Sequence, residues 1–298
     1  EISTGGKVIE PIAPTWDGYN FGGWSLGLEE EYFNFKTIIS IAILPFLLSS
    51  TTVFAQEAKV LTEPPITKSD QLQQIRNATL KITYAGTTFL IDPMLGKKGA
   101  YPGFEGTYRS ELRNPLVELP MTVAEILDGV DVIVVTHTHL DHWDDAAQDL
   151  IPKNLPIFVQ NKNDETTIES QGFTNVEVLS DSVEIKGVTL TKTTGQHGTD
   201  EMYAIEELAE SLGEAMGIVL QSADHKTLYI VGDTTWYDEI DKVITSYNPD
   251  IIVLNAGYAS LDNFEGSIIM GKEDLLRAVQ ISPNATIVAT HLDAINHM

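Results

Sequence analysis

The sequence predicts an α/β fold, and three observations carry the prediction. Short aliphatic and β-branched runs of strand length recur from Asn77 to Thr290. Helix-forming stretches, several of them opened by acidic residues, alternate with these runs. Several runs lead straight into a histidine or an aspartate, as strands do when they deliver reactive side chains to loops.

Composition sets the outer bounds. With 298 residues, 43% hydrophobic and 20% charged, the chain is of the soluble globular class and can bury a substantial core. Lys and Arg number 18 against 43 Asp and Glu, a net charge of -25, so the basic footprint of a nucleic-acid binder is missing. There is no cysteine, hence no disulfide and no thiolate ligand or nucleophile, which is compatible with an oxidising compartment.

Residues 1–36 lack sustained periodicity and read as a leader outside the fold. Gly23-Trp24-Ser25-Leu26-Gly27 within them fits G-x-S-x-G, but no buried strand precedes it, so the match is taken as chance. Residues 37–55 follow Lys36 with an apolar core, Thr37 to Leu48, and close on the small-residue site Val53-Phe54-Ala55. That layout predicts a signal peptide and a secreted or periplasmic product, the alternative being a membrane anchor through the same residues. The functional domain is then expected over residues 56–298, with no stable membrane insertion once the signal is removed.

Thr79 to Tyr84 and Thr87 to Asp92 read as a hairpin about Ala85-Gly86. The loop from Gly96 to Gly103 lacks the spacing of a phosphate loop. Val132 to Val135 is a continuous apolar run, expected as a strand buried on both faces. Asp144 to Leu150 is acidic first and helix-forming after, as at a helix N-terminus. Between them stands Thr136-His137-Thr138-His139-Leu140-Asp141-His142-Trp143. In an extended segment alternate residues share a face, so His137 and His139 can reach one metal ion, with Asp141 and His142 facing a second where the chain turns. Four polar loop residues would be the plain alternative. Three of the chain's seven histidines within six residues favour the metal.

Further strands are expected at Pro156 to Val159, Val176 to Leu179, Val183 to Lys186 and Val188 to Thr193, with a helix from Asn163 to Gln171. The last of these strands runs into Gly195-Gln196-His197-Gly198, which places His197 at a strand exit, where a lone histidine would be a satisfied surface residue and, beside the first cluster, is expected as a further ligand. Residues 200–215 hold an acidic helix that reads as a solvated face or a flap over the site. Met216 to Leu220 and Thr227 to Val231 pair across a turn that exposes His225. Asp233 follows the second strand, either as a ligand or as the cap of a helix from Trp236 to Thr245. A strand from Ile251 to Asn255, a helix from Lys272 to Gln280 and a strand from Ala285 ending on His291 complete the pattern.

H-x-H-x-D-H followed in order by His197, Asp233 and His291 resembles the metallo-β-lactamase superfamily. The resemblance implies a four-layer αββα sandwich of two pseudo-equivalent halves with metals between the sheet edges. It implies one ion on His137, His139 and His197, a second on Asp141, His142 and His291, and Asp233 bridging them. Phe89-Leu90-Ile91-Asp92-Pro93, Val231-Gly232-Asp233-Thr234 and Thr290-His291-Leu292-Asp293-Ala294-Ile295-Asn296-His297 look most like the L-ascorbate-6-phosphate lactonase-like branch. There Asp92 would stand just behind the metals, and His297 would either contact substrate or merely close the chain. Members of that branch usually continue further, so a C-terminal truncation is expected.

Two divalent ions, zinc by default with manganese or iron tolerated, hold a bridging hydroxide available at neutral pH. Asp141 and Asp233 are the expected catalytic residues: Asp141 orients that hydroxide and carries a proton to the leaving group, and Asp233 holds the ions together. The expected activity is hydrolysis of a lactone or other ester of a small molecule. A small phosphodiester, a β-lactam, and metal binding without turnover follow as alternatives. For Trp143, Trp236 and Tyr258 core packing is expected ahead of pocket lining.

Overall fold

Ala85 and Gly86 both take positive φ, 47° and 83°. This is the turn geometry that matches the right-handed twist of a tight hairpin, and it joins β2 (Thr79–Tyr84) to β3 (Thr87–Ile91). The structure, a computed structural model, describes residues 69–298. The leader, the G-x-S-x-G match and the signal-like segment lie outside the described residues. Among the described residues no helix is long and apolar enough to cross a membrane.

Twelve strands form two six-stranded mixed sheets. In the first, β1 (Gln71–Arg76), β2 and β3 are antiparallel, and β4 (Val132–Val135), β5 (Ile157–Val159) and β6 (Val176–Val178) add in parallel. In the second, β7 (Ser182–Ile185), β8 (Val188–Gly195), β9 (Ala215–Gln221) and β10 (Leu228–Ile230) are antiparallel. There β11 (Ile251–Asn255) and β12 (Thr286–Thr290) add in parallel. Each half thus begins as an antiparallel meander and ends in parallel strands, the pseudo-equivalence that the resemblance implied.

Period-two side-chain alternation sorts the core into layers. Phe89, Ile91, Val132 and Val134 from the first sheet meet Met216, Ile218, Leu220, Leu228, Ile230 and Val253 from the second. Their neighbours Leu90, Ile133 and Val135 face outward onto α1 (Val123–Leu127), α2 (Asp145–Leu150) and α3 (Lys162–Ser170) through Ile126, Ala147 and Ile168. Val219, Tyr229, Ile252 and Leu254 do the same against α6 (Asp238–Tyr247) and α7 (Lys272–Ile281). The result is the expected αββα arrangement. Each fully buried aliphatic or aromatic side chain in it contributes about 1.5–3 kcal/mol of transfer free energy.

Several elements differ from expectation. β1 carries Gln71, Gln73 and Gln74 and is largely exposed at a sheet edge, so no apolar alternation announces it. α1 is five residues long and is specified by its start, where Thr122 and Glu125 form a reciprocal capping box. The helix expected from Trp236 begins at Asp238, with Tyr237 rather than Asp233 at its cap position, so Asp233 does not cap it. The acidic stretch is two short helices, α4 (Asp200–Tyr203) and α5 (Glu206–Leu212).

Candidate metal centre

The site is assembled where strands stop. His137 follows β4, His197 follows β8, Asp233 follows β10 and His291 follows β12. The backbone bends sharply at these exits: His291 has φ 56°, and Gly232, just before Asp233, has φ 75°. A Cβ at Gly232 would also lie 2.4 Å from the Met216 carbonyl oxygen, so only glycine fits there. Leu140 begins a turn in which the amides of His142 and Trp143 both donate to the His139 carbonyl, and this folds the chain back so that the His142 ring stands 4.0 Å from that of His137 between centroids.

All seven predicted residues come together. The ligand atoms of His137, His139 and His197 form one compact group and those of Asp141, His142 and His291 another, each within 4.8 Å. Asp233 lies between them. Its Oδ2 is 3.9 Å from His137 Nε2, 3.8 Å from His197 Nε2, 3.1 Å from His142 Nε2 and 3.5 Å from His291 Nε2. Asp141 Oδ2 is 3.0 Å from His291 Nε2.

Outer hydrogen bonds set which nitrogen carries the proton. His197 Nδ1 donates to the Ile268 carbonyl at 2.8 Å, and His139 Nε2 donates to the Ser211 carbonyl at 3.0 Å. The remaining lone pairs, on His197 Nε2 and His139 Nδ1, therefore face each other at 3.3 Å. That contact is unfavourable alone, yet it matches two nitrogens held by one tetrahedral ion at about 2.0–2.1 Å each. His142 Nδ1 donates to Asp92 Oδ2 at 2.9 Å, and Asp92 is itself fixed by the amide and hydroxyl of Thr136, both at 2.7 Å. His137 Nε2 is buried with no hydrogen-bond partner. Converging lone pairs, an orphaned imidazole nitrogen and buried carboxylates fit divalent cations.

The electrostatics agree. Burial pushes His197 down to about 4 and His137 well below the ordinary histidine range. Burial would raise Asp233 and Asp141, but His142 and His291 hold both carboxylates well below their usual range. Burial would likewise lower His142, and Asp233, Asp141 and Asp92 outweigh it, holding it well above normal. Two carboxylates held ionised in the interior, Asp141 and Asp233, leave a centre that attracts positive charge.

Several supporting residues were not singled out by sequence reasoning. Asn255 Nδ2 donates to Asp233 Oδ1 at 2.6 Å and leaves Oδ2 free for the histidines. Its signal was available, since it too ends an apolar strand. Asn77 donates to the Asp141 carbonyl at 3.1 Å, while its own carbonyl accepts from Thr290 Oγ1 and the His291 amide. Tyr203 of α4 accepts from the His197 amide and donates to the Gly213 carbonyl, so the α4–α5 segment is tied to the His197 loop. A cavity of about 570 Å³ opens beside His137 and His139, lined also by Gln160, Asp164, Glu210 and Glu214.

Of the aromatic residues, Trp143 is core, packed on Phe173 and donating to Gln171. Trp236 is partly buried under Arg277. Tyr258 departs from the expected core role: it is 52% exposed, with a left-handed backbone that turns its side chain outward. His225 is exposed, as expected, and pairs with Asp70.

Residues 87–292 match a family described as the beta-lactamase superfamily domain. The chain is 46% identical over 229 residues to the UPF0173 protein YddR of Bacillus subtilis, covering 76% of this chain and 87% of that protein. It is 28% identical over 179 residues to a UPF0173 metal-dependent hydrolase of Methanocaldococcus jannaschii, covering 60% and 73% of the two chains. Among solved structures it resembles an isothiocyanate hydrolase from Delia radicum gut bacteria, with 51% identity, a TM-score of 0.74, and coverage of 76% of this chain and 86% of that one.

Proposed function

Because the chain belongs to the metallo-β-lactamase superfamily, within the UPF0173 metal-dependent hydrolases, we propose that it hydrolyses a small neutral electrophile, an isothiocyanate first, at a pair of divalent ions. His137, His139 and His197 would hold one ion, Asp141, His142 and His291 the other, and Asp233 would lie against both. Zinc suits this nitrogen and carboxylate set, and manganese or iron would be tolerated. Bound there, the ions supply a water activated at neutral pH and a Lewis acid for the electrophile.

The observation that carries the reading is Asp233 Oδ2, one carboxylate oxygen with imidazole nitrogens of four histidines at 3.1–3.9 Å. The substrate class rests on the 51% identical isothiocyanate hydrolase and on the cavity wall. Asp164, Glu210 and Glu214 line that wall, and its one cation, Lys162, is paired with Glu165. Such a wall disfavours anionic phosphodiesters and favours neutral substrates.

In the proposed reaction, water's oxygen bonds to the central carbon of R–N=C=S. The C=N electron pair passes to nitrogen, which takes a proton. The resulting thiocarbamic acid passes its acidic proton to nitrogen as its C–N bond breaks, giving amine and carbonyl sulfide. Asp141 would orient the water and return its proton to nitrogen. The branch-like residues from Thr290 to His297 favour a second reading, hydrolysis of a lactone or ester, which needs the same water and the same proton path.

Metal per chain by elemental mass spectrometry, with isothiocyanate, lactone, ester and phosphodiester panels on the same preparation, tests both readings. Two ions per chain, sharp loss of metal in Asp233→Ala and amine release from an isothiocyanate are expected. One ion or none under metal-replete conditions would remove the dinuclear reading, and turnover confined to esters would replace the substrate.

A further inference from the structure

One hydroxyl stands behind two of the three histidines that group with His137. Tyr203 Oη accepts from the His197 amide at 3.1 Å and donates to the Gly213 carbonyl at 2.8 Å. Gly213 is the residue on which α5 ends, with φ 63°. Carbonyls in the last turn of a helix lack a partner within it. Ser211, in that turn, gives its carbonyl to His139 Nε2 at 3.0 Å. The hydroxyl that holds the His197 backbone thus also holds the helix end that orients His139. These two histidines follow β4 and β8, strands of different sheets, and their facing nitrogens stand 3.3 Å apart.

The supports rest on a small hydrophobic cluster separate from the layers of the sandwich. Met202, Leu212, Ile268 and Ile269 are buried in it, and Tyr203 packs against them. Ile268 is also the residue whose carbonyl accepts from His197 Nδ1. A Cβ on Gly198 would lie 2.9 Å from Leu212 Cδ1, so the His197 loop runs directly over this cluster. An imidazole ligand is aimed by the bond its second nitrogen makes, and here both accepting carbonyls come from segments that this cluster packs together. Glu210 to Glu214 form one wall of the cavity beside His139, so Tyr203 ties that wall to the histidines as well.

We propose that Tyr203 is a positioning residue that keeps His139 and His197 in register for the ion they would share with His137. It takes this role on the ion assignment under Proposed function, on which this inference rests. The effect is confined to one ion, because the group of Asp141, His142 and His291 is supported elsewhere, by Asp92 and Asn77.

The test titrates the zinc-loaded full chain with a chromogenic chelator in wild type, Tyr203→Phe, His197→Ala and His291→Ala, with thermal midpoints on the same samples. His197→Ala and His291→Ala assign the two release steps. Tyr203→Phe keeps the ring in its cluster and removes the hydroxyl alone. It should weaken the step assigned by His197→Ala about 10-fold and leave the step assigned by His291→Ala unchanged. Weakening of both steps alike, of the other step alone or of neither would overturn the proposal. A lowered midpoint with unchanged release would make Tyr203 a purely structural residue. Should wild type release a single ion, the paired reading fails by itself. Tyr203 is then decided on that one step: weakening by both Tyr203→Phe and His197→Ala, with His291→Ala inert, keeps the proposal, and any other pattern removes it.

Discussion

Asp92 acts one bond behind the ligands. Its Oδ2 accepts a hydrogen bond from His142 Nδ1 at 2.9 Å, which points the opposite nitrogen at Asp233 and His291. It takes up a left-handed backbone, φ 46°, to do so, strain of a kind that accumulates at functional sites. Asp92→Asn keeps the shape but removes the charge that makes His142 a stronger donor. Metal affinity should fall by about 10–100-fold, read by competition with a chromogenic chelator. An unchanged affinity would show that His142 is oriented by packing alone.

At the scale of elements, strand exits do the positioning, and Gly232 is the tightest of them. Ala there must adopt φ 75° and place its Cβ 2.4 Å from the Met216 carbonyl oxygen. Gly232→Ala should therefore cost at least about 1–3 kcal/mol in denaturant unfolding and displace Asp233; a neutral result would mean that β9 can shift away. These exits are also what made the site readable beforehand. β4, β10 and β12 are apolar runs that stop on His or Asp, so their ligands could be picked out one by one, and the motif supplied the order. β1 was not readable because its glutamines show no period. Asn77, Ser211 and Ile268 were not readable because two act through backbone carbonyls and the third sits in an unremarkable turn. The layering of two sheets likewise needed the resemblance. A buried strand such as Val132–Val135 is apolar on both faces and does not say which face meets the other sheet.

For the whole molecule, the interface between the sheets governs stability. Phe89→Ala removes a fully buried ring from that layer and should cost about 3–5 kcal/mol, measured by chemical denaturation. Metal should stabilise the same interface, because His137, His139, Asp141 and His142 follow a strand of one sheet while His197, Asp233 and His291 follow strands of the other. Chelation should lower the thermal midpoint, and more readily at acid pH. The ligands bind metal deprotonated, so protons compete with it as pH falls through the histidine range. Equal chelator sensitivity at acid and neutral pH would count against histidine ligation. The division of ligands has a further consequence in time. Strands β1–β6 and β7–β12 are each consecutive in the chain, so during synthesis the first sheet can form while the second is still being made. A chain with only its first sheet formed then offers four of the seven chelating groups, and a site for both ions must wait until β12 docks. The second ligand group can therefore fill only after β12 has docked, later than the first, whose last member His197 follows β8.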